Sequence, residues 1–447
     1  MHFHHTNYAQ QGLTPLDLLP AMNAIGVLRT TLVPIPTNQM GSCHGVEYHP
    51  AKGEASNAAN YYLPDCLRQK ATSTAIEYHH AVTTTHPLYY NTSVDDRTAD
   101  MYQSLPLDDR DRFDPMVTGL VLGDQRCSED LLMKLHRHPG VFTGVGEITI
   151  HKEFVEDKLD RRVQANLKNN IAPTRDLFKT CGEVGMPVVM HCDVDVVPHK
   201  RGQKSAHLEG VKNLLKDPAC QKTTIIWAHM GGLGKYAQAR PEHLENVLSI
   251  LHDPAFKHVH FDLSWDVVAK QLLRVNSAHG NDAIDEAKLN KLAAILVAFP
   301  DRFLFGSDAL APRSESEWAM TINTYEPLLE KLPTEVYNKI LIENYERIVV
   351  GAREKVRAYE TYCLPYASIA IRMRQDTLES PPDFRSGVLA QVQMGIAHGR
   401  ALIDYKSGIT THPPVQPAEL MSAPDLERHA LQVRPGEGIR LRQKAAL

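Results

Sequence analysis

The residues best suited to chemistry in this 447-residue chain are histidines and carboxylates at the ends of apolar runs. The chain opens with "MHFHH", in which His2 and His4 are separated by Phe3. Side chains on a β-strand alternate between faces, so the two imidazoles would point to one side and Phe3 to the other. Two adjacent imidazoles can chelate one divalent ion. Taken alone, these residues are equally compatible with a solvated tail that has no role.

Four later apolar runs each carry a further residue of a type that ligates metals. These residues are Glu147 in "VFTGVGEITI", His191 in "MPVVMHCD", His229 in "TTIIWAHMGG" and Asp308 in "RFLFGSDAL". Each has an ordinary structural explanation when taken singly; Asp308, for example, could cap the following helix. Their joint occurrence at the ends of apolar runs, together with the histidines at the start, favours a shared polar site.

The elements that must position these residues follow from the alternation of the chain. From about residue 113 to 310, short β-branched runs alternate with amphipathic, helix-like segments. Another apolar run at 27–36 and the strand carrying His2 and His4 bring the number of strands to eight. Nearly continuous apolar strands with intervening helices indicate a parallel sheet buried on both faces.

A (β/α)8 barrel and an open doubly wound sheet both fit this alternation. No Gly-x-Gly-x-x-Gly follows a strand and no Walker-type loop occurs, which disfavours an open nucleotide-binding sheet. We therefore predict an α/β fold of the (β/α)8 TIM-barrel type. In such a barrel the carboxyl ends of all strands meet at one face, where active sites lie. The six residues of metal-ligand type would converge there.

Three segments make up the predicted organisation of the chain. Residues 1–355 form the barrel, and residues 39–112, rich in Tyr, His, Asn and Thr, form a long insertion after strand 2. This insertion is either a lid over the site or a surface excursion. Residues 356–447 form a helical C-terminal extension with a loose end.

Composition narrows the possible partners. The chain is 43% hydrophobic and 23% charged with a formal net charge of -5, which is typical of a globular protein. It has no Lys/Arg block and no apolar run long enough to span a bilayer, so we expect neither a nucleic-acid nor a membrane partner. Seven widely spaced cysteines without a Cys-x-x-Cys pair favour reduced thiols in a cytoplasm. The sequence leaves two questions open: whether the protein forms a homo-oligomer, and whether a leader has been lost upstream of Met1.

With these motifs in place, the sequence resembles the amidohydrolase superfamily, in its amidohydrolase-related branch. The resemblance covers roughly residues 1–355, apart from the insertion. Its motifs are "HFH", "GVGEI", "VVMHCD", "WAHMGG" and "FGSDA" on strands 1, 4, 5, 6 and 8, and "ENYERIV" (343–349) in a final helix that docks against the barrel.

The resemblance implies a role for each matching residue. His2, His4 and Asp308 match the ligands of the more buried metal. His191 and His229 match the ligands of a second metal. Glu147 occupies the strand-4 position at which binuclear members carry a bridging group, which favours a two-metal site like that of TatD-type hydrolases. Single-metal relatives lack the bridge, and in them the histidine matching His191 serves the one ion.

The expected chemistry is hydrolysis by a metal-activated water. Mixed nitrogen and oxygen ligands suit Zn²⁺, and also Mn²⁺, Fe²⁺ or Ni²⁺. Asp308 would take the proton of the attacking water, and His229 would stabilise an oxyanion if only one ion binds. The expected substrate is a small-molecule amide, ester, lactone or phosphoester.

Two other functions compete with hydrolysis. The first is non-oxidative decarboxylation of an aromatic or unsaturated acid at a single metal. The second is binding without catalysis, which the complete ligand set disfavours. Substrate contacts are predicted for four residues near strand ends: His151, Lys152, Trp265 and Arg313.

Overall fold

The computed structural model describes most of the chain. The described residues are 2–5, 12–34, 94–120, 122–123, 125–152, 172–195, 205–235, 239–275, 283–375 and 382–432. They fold into two compact units. The first consists of Met1–Leu131 and Val141–Arg353, and the second of Leu132–Gly140 and Glu354–Leu447.

The first unit is built on parallel strands. Their bounds are β1 Phe3–His4, β2 Thr30–Leu32, β3 Phe113–Val117, β4 Gly144–His151, β5 Val188–Cys192, β6 Ile225–Trp227, β7 Val259–Leu263, β8 Phe303–Phe305 and β9 Ala309–Leu310. Strands β2 to β8 pair in sequence order, each parallel to the next. Every strand residue except Phe305 and Leu310 is buried, because helices cover the outside of the sheet.

Strand β1 closes the sheet into a barrel. On one side it bridges β2, where the His5 N–H donates to the Val33 carbonyl at 3.1 Å. On the other side it pairs with β9, and the Asp308 N–H donates to the His2 carbonyl at 2.8 Å. Because β9 follows β8 directly, the two act as one interrupted eighth strand. The predicted (β/α)8 barrel is confirmed.

Helices separate the strands as the alternation predicts. Those of the barrel are Pro15–Ile25, Val94–Gln103, Leu107–Arg110, Cys127–Arg137, Ala172–Val184, Leu208–Lys216, His243–His252, Asp266–Leu273 and Glu286–Ala298. After β9 come Glu315–Asn323, Glu326–Leu329, Thr334–Asn338, the π-helical turns Lys339–Glu343 and Glu346–Val350, and Gly351–Tyr362. Short 3₁₀ turns, Pro254–Phe256 and Pro300–Arg302, precede β7 and β8.

The first helix shows how local sequence sets these bounds. Thr14 and Asp17 form a reciprocal capping box at its start, and Gly26 ends it in the left-handed conformation with φ 74°. Its buried face includes Leu18 and Met22, which join the core beside β1.

Phe3 anchors β1 in that core. Its ring centroid lies 4.4 Å from that of Trp318, and both side chains are almost fully buried. Truncating a buried phenylalanine costs about 3–5 kcal/mol, so this contact holds the strand firmly. Alternation then directs His2 and His4 to the barrel interior.

The barrel interior is filled by an apolar layer. It consists of Val33, Met116, Val189, Ile226 and Leu304, with Tyr345, Ile348 and Val349 packed against them. Val189 lies two residues before His191 on β5, so the apolar layer sits below the polar strand ends.

The predicted insertion of residues 39–112 is described from residue 94 onward. From Val94 the chain forms the helix Val94–Gln103, which packs on the barrel through buried Asp95 and Thr98. This helix and Leu107–Arg110 lie between β2 and β3 in the chain. Residues 35–93, which carry the lid hypothesis, lie outside the described residues.

The second unit is helical. Helices Leu364–Gln375, Pro382–Lys406 and Ala423–Gln432 enclose an apolar core that includes Ile369, Val392 and Leu426. A Cβ on Gly399 would lie 2.3 Å from the Tyr362 carbonyl oxygen, so only glycine permits the close approach of the backbones there. In the described part of the chain, no helix combines the length and the apolarity needed to cross a bilayer.

Candidate metal centre

The two histidines of β1 meet two carboxylates inside the barrel. His4 Nε2 lies 3.1 Å from Glu147 Oε2 and 3.0 Å from Asp308 Oδ1. His2 Nε2 lies 2.9 Å and 3.4 Å from the same two oxygens. All four side chains are buried. The imidazoles of "HFH" therefore converge on one point that both carboxylates share.

Glu147 lies at the centre of the cluster and uses both oxygens. While Oε2 faces His2 and His4, Oε1 lies 2.9 Å from His191 Nδ1 and 3.5 Å from Lys152 Nζ. Its backbone belongs to β4, the longest of the described strands, which extends to His151. One carboxylate thus connects the ligand-type residues of β1 with those of β5.

His229 and Asp308 reach the cluster from sharp backbone turns. Both follow a strand and have positive φ, 58° for His229 and 51° for Asp308. Non-glycine residues rarely adopt this region, and they do so most often where function requires it. His229 Nε2 lies 3.0 Å from His191 Nδ1 and 3.9 Å from Asp308 Oδ2.

Four of these residues form a tight set of donor atoms. One atom from each of His2, Glu147, His229 and Asp308 lies within 4.8 Å of the others. Asp308 Oδ1 is buried between two imidazole nitrogens, His4 Nε2 at 3.0 Å and His2 Nε2 at 3.4 Å. Imidazole nitrogens facing carboxylate oxygens in a buried site are the donor set that a divalent transition metal requires. The residues present therefore fit such an ion.

Comparison with known families identifies the family of this chain. A sequence model of the family described as amidohydrolase matches residues 76–349. The chain belongs to the amidohydrolase superfamily. The match begins after His2 and His4, so the assignment of these two residues to the centre rests on the structure of β1.

Two solved structures are similar to this chain. One, from Agrobacterium tumefaciens and solved in the apo form, is 13% identical, with a TM-score of 0.38 over 78% of this chain and 93% of its own. The other, an uncharacterized TIM-barrel protein from Bordetella bronchiseptica, is 12% identical, with a TM-score of 0.35 over 78% and 98%. No curated protein matches the chain. Neither similarity bears on the chemistry of this chain.

The electrostatics of the centre follow from burial and close charges. Burial opposes ionisation of Glu147, but Lys152 and His191 hold the pKa of its carboxyl well below the ordinary value. Burial likewise opposes protonation of His2, yet Asp262 and Asp308 raise its pKa well above the ordinary value. The carboxylates are therefore ionised and attract positive charge.

His229 differs from the histidines of β1. Burial, and then the charge of His191, lower its pKa to about 3. A neutral imidazole is the form that ligates a metal.

The structure places the predicted substrate residues at different distances from the centre. Lys152 contacts Glu147, and its Nζ lies 6.0 Å from the centroid of the Trp265 ring. The Trp265 ring lies 5.0 Å from that of His229. His151 is buried, with its ring 3.9 Å from the His207 ring. Arg313 is exposed, and its backbone N–H donates to Glu317.

Three residues that contact the ligand-type histidines were missed in the sequence. Asp262 Oδ2 lies 2.8 Å from His2 Nδ1, and Ser264 Oγ lies 2.9 Å from His229 Nδ1. Asp193 Oδ1 lies 2.9 Å from His191 Nε2. A signal for Asp262 was present, because this carboxylate interrupts the apolar run "HVHFDLSW". Asp193 was equally visible, two residues after His191.

Proposed function

We propose that this protein is a metal-dependent hydrolase that uses an activated water to attack a carbonyl or phosphoryl centre of a small molecule. The observation that carries this proposal is the central position of Glu147. Its Oε2 faces the histidines of β1 and its Oε1 faces His191. A carboxylate with ligand-type nitrogens at both oxygens suits a bridge between two ions, which is the arrangement expected for hydrolysis.

The bound ions, which we propose are zinc, would supply Lewis acidity, both to lower the pKa of a water and to polarise the substrate oxygen. His2, His4 and Asp308 would hold one ion, and His191 and His229 the other, with Glu147 between them. Manganese, iron and nickel accept the same ligand types.

Asp308 is the residue placed to move protons. Its Oδ2 faces His229 Nε2 at 3.9 Å, while its Oδ1 is near His2 and His4. Its pKa is lowered, because the positive charge of His2 outweighs burial. An ionised carboxylate at this position can accept the proton of the attacking water and pass it to the leaving group.

Decarboxylation at one ion is the second candidate, favoured by Lys152 and Trp265. The Lys152 side chain is 8% exposed and lies beside Glu147 Oε1, where a second ion would otherwise sit. An ammonium group beside an aromatic ring could hold the carboxylate of an unsaturated acid.

The test measures bound metal and reaction products together. Tag-free protein purified without chelator is analysed for metal per chain, then assayed for hydrolysis of esters, lactones, amides and phosphoesters, and for CO₂ release from aromatic acids. Two equivalents with hydrolysis would support the proposal. One equivalent with CO₂ release would replace it with the second candidate. No metal, even after metal is added back, would reject both.

Two variants separate catalysis from folding. Asp308→Asn should abolish hydrolysis while the protein stays folded, because the amide cannot accept the proton. Asp253→Asn is the matched control, since this aspartate pairs with Lys216 at the surface. It should retain full activity. Equal activity of the two variants would remove Asp308 from the mechanism.

We also propose that the protein is cytoplasmic. The cysteines in the described part of the chain, Cys127, Cys181, Cys192, Cys220 and Cys363, are free thiols, which suits a reducing compartment.

A further inference from the structure

One buried carboxylate outside the ligand set connects two of the histidines. Asp262 Oδ2 lies 2.8 Å from His2 Nδ1, and its Oδ1 accepts the His229 backbone N–H at 2.8 Å. Ser264, also buried, donates its hydroxyl to the same Oδ1 at 2.5 Å. Asp262 is completely buried, so it orders groups from β1, β6 and β7 without reaching solvent.

The hydrogen atoms in this group can be assigned by counting donors. An ionised carboxylate only accepts, so the single hydroxyl proton of Ser264 points at Asp262. Ser264 Oγ therefore has only acceptor capacity for His229 Nδ1, 2.9 Å away, and that nitrogen must carry a hydrogen. The same reasoning places a hydrogen on His2 Nδ1, which faces Asp262 Oδ2.

We propose that Asp262 and Ser264 are positioning residues that fix His2 and His229 as Nδ1–H tautomers. Each ring then directs the lone pair of Nε2 at the centre shared by Glu147 and Asp308. The inference rests on the proposed metal site and extends it to residues that do not ligate. It also makes His229 a ligand and not a donor to an oxyanion, because its Nε2 carries no hydrogen when the ring is neutral.

When a metal ion is bound, the opposite tautomer is disfavoured at both nitrogens of each ring. An Nε2–H form would place the Nδ1 lone pair of His2 against a carboxylate oxygen at 2.8 Å. It would also turn an N–H toward the metal position. A carboxylate behind a metal-ligating histidine generally fixes its tautomer, and losing such a partner typically weakens metal binding by about 10–100-fold.

Substitutions of Asp262 and Ser264 should affect different numbers of histidines. Asp262→Asn leaves one oxygen to accept where two oxygens now accept, so it disturbs both His2 and His229. Ser264→Ala removes the acceptor of His229 Nδ1 and one hydrogen bond to Asp262 Oδ1, but it leaves the contact between Asp262 Oδ2 and His2 Nδ1 in place. We therefore expect zinc affinity to fall by about 10–100-fold in Asp262→Asn and by a smaller factor in Ser264→Ala. Asp253→Asn and Ser249→Ala, at the surface, are the matched controls and should bind zinc as the wild type does.

The experiment combines zinc affinity with ring spectra. Zinc affinity is measured by competition with a chromophoric chelator, using the full chain. Long-range ¹H–¹⁵N spectra of histidine-labelled protein report which ring nitrogen carries hydrogen, for His229 with and without zinc and for His2 with zinc. We expect Nδ1–H for both rings in the wild type, and loss of that pattern for His229 alone in Ser264→Ala.

An Nε2–H tautomer of His229 in the wild type would overturn the proposal. So would unchanged zinc affinity and unchanged spectra in both folded variants. If Asp262→Asn does not fold, Ser264→Ala decides alone. Failure of the metal site itself gives a different result, because the wild type would then bind no zinc while the His229 tautomer would still be readable.

Discussion

Adjacent histidines at the start of the chain allow a sharp test of the metal centre. His4 Nε2 lies 3.0 Å from Asp308 Oδ1, whereas His5 Nε2 lies 3.1 Å from the Thr98 hydroxyl on the other side of the strand. Both residues are buried. Burial, and then the charge of His4, lower the pKa of His5 to about 3, so it is neutral. His4→Gln and His5→Gln each remove one buried imidazole ring, but only His4→Gln removes a proposed metal ligand.

The expected difference can be worked out from linkage. Zinc at about 1,000 times its dissociation constant stabilises the folded protein by about 4 kcal/mol, and zinc equal to that constant by only about 0.4 kcal/mol. For a unit of roughly 340 residues the unfolding entropy is about 0.7 kcal/mol/K, so 4 kcal/mol corresponds to about 6 °C. A 1,000-fold weaker site in His4→Gln would therefore show a shift below about 1 °C at the same zinc concentration.

The assay is differential scanning calorimetry of each protein, with zinc and after chelation. We expect His5→Gln to melt lower than the wild type in both conditions, because it loses the Thr98 contact, but to keep the full zinc-dependent shift. His4→Gln should lose that shift. If the two variants respond to zinc equally, His4 is not a ligand and the assignment of "HFH" to the centre is refuted.

Three further predictions concern other groups in the barrel. Tyr345→Phe should lower the free energy of unfolding in urea by about 1.5–3 kcal/mol, because the Tyr345 hydroxyl donates to buried Asp114 at 2.7 Å; a loss below about 0.5 kcal/mol would contradict this. Lys152→Met should destabilise the chelated protein by about 3–5 kcal/mol, since it leaves Glu147 with one cation fewer, and zinc should restore part of the loss; equal losses with and without zinc would argue against this. Burial, and then the charges of Arg347 and Arg302, lower the pKa of His260 to about 3. Below about pH 6.5 this histidine therefore binds a proton in the unfolded chain but not in the folded protein, so the free energy of unfolding falls as the pH is lowered. Between pH 7.5 and 5 the wild type should lose about 2 kcal/mol more than His260→Asn, and identical pH profiles in urea unfolding would exclude this role.

Local pattern was sufficient for most of the barrel. All eight strand positions and a helix in each connection from β3 to β8 follow from periodicity, because alternation and amphipathicity are properties of a few consecutive residues. Within the predicted insertion, polar composition hid the helix Val94–Gln103, which buries Asp95 and Thr98. A carboxylate is expected at the surface until its hydrogen-bond partners are known. For Asp95, these partners are the backbone N–H groups of Thr118 and Gly119.

The candidate metal centre was likewise predicted in part from local sequence and in part decided by the tertiary structure. The sequence by itself determined which strands end in ligand-type residues, since "HFH", "GVGEI" and the other motifs are contiguous. Only the tertiary structure decided that Asp262 supports His2, from which it is separated by 260 residues, and that Lys152 approaches Glu147. The physical reason is closure of the barrel: the first strand completes the sheet beside the last, and the contacts made across that seam and across the interior have no local pattern.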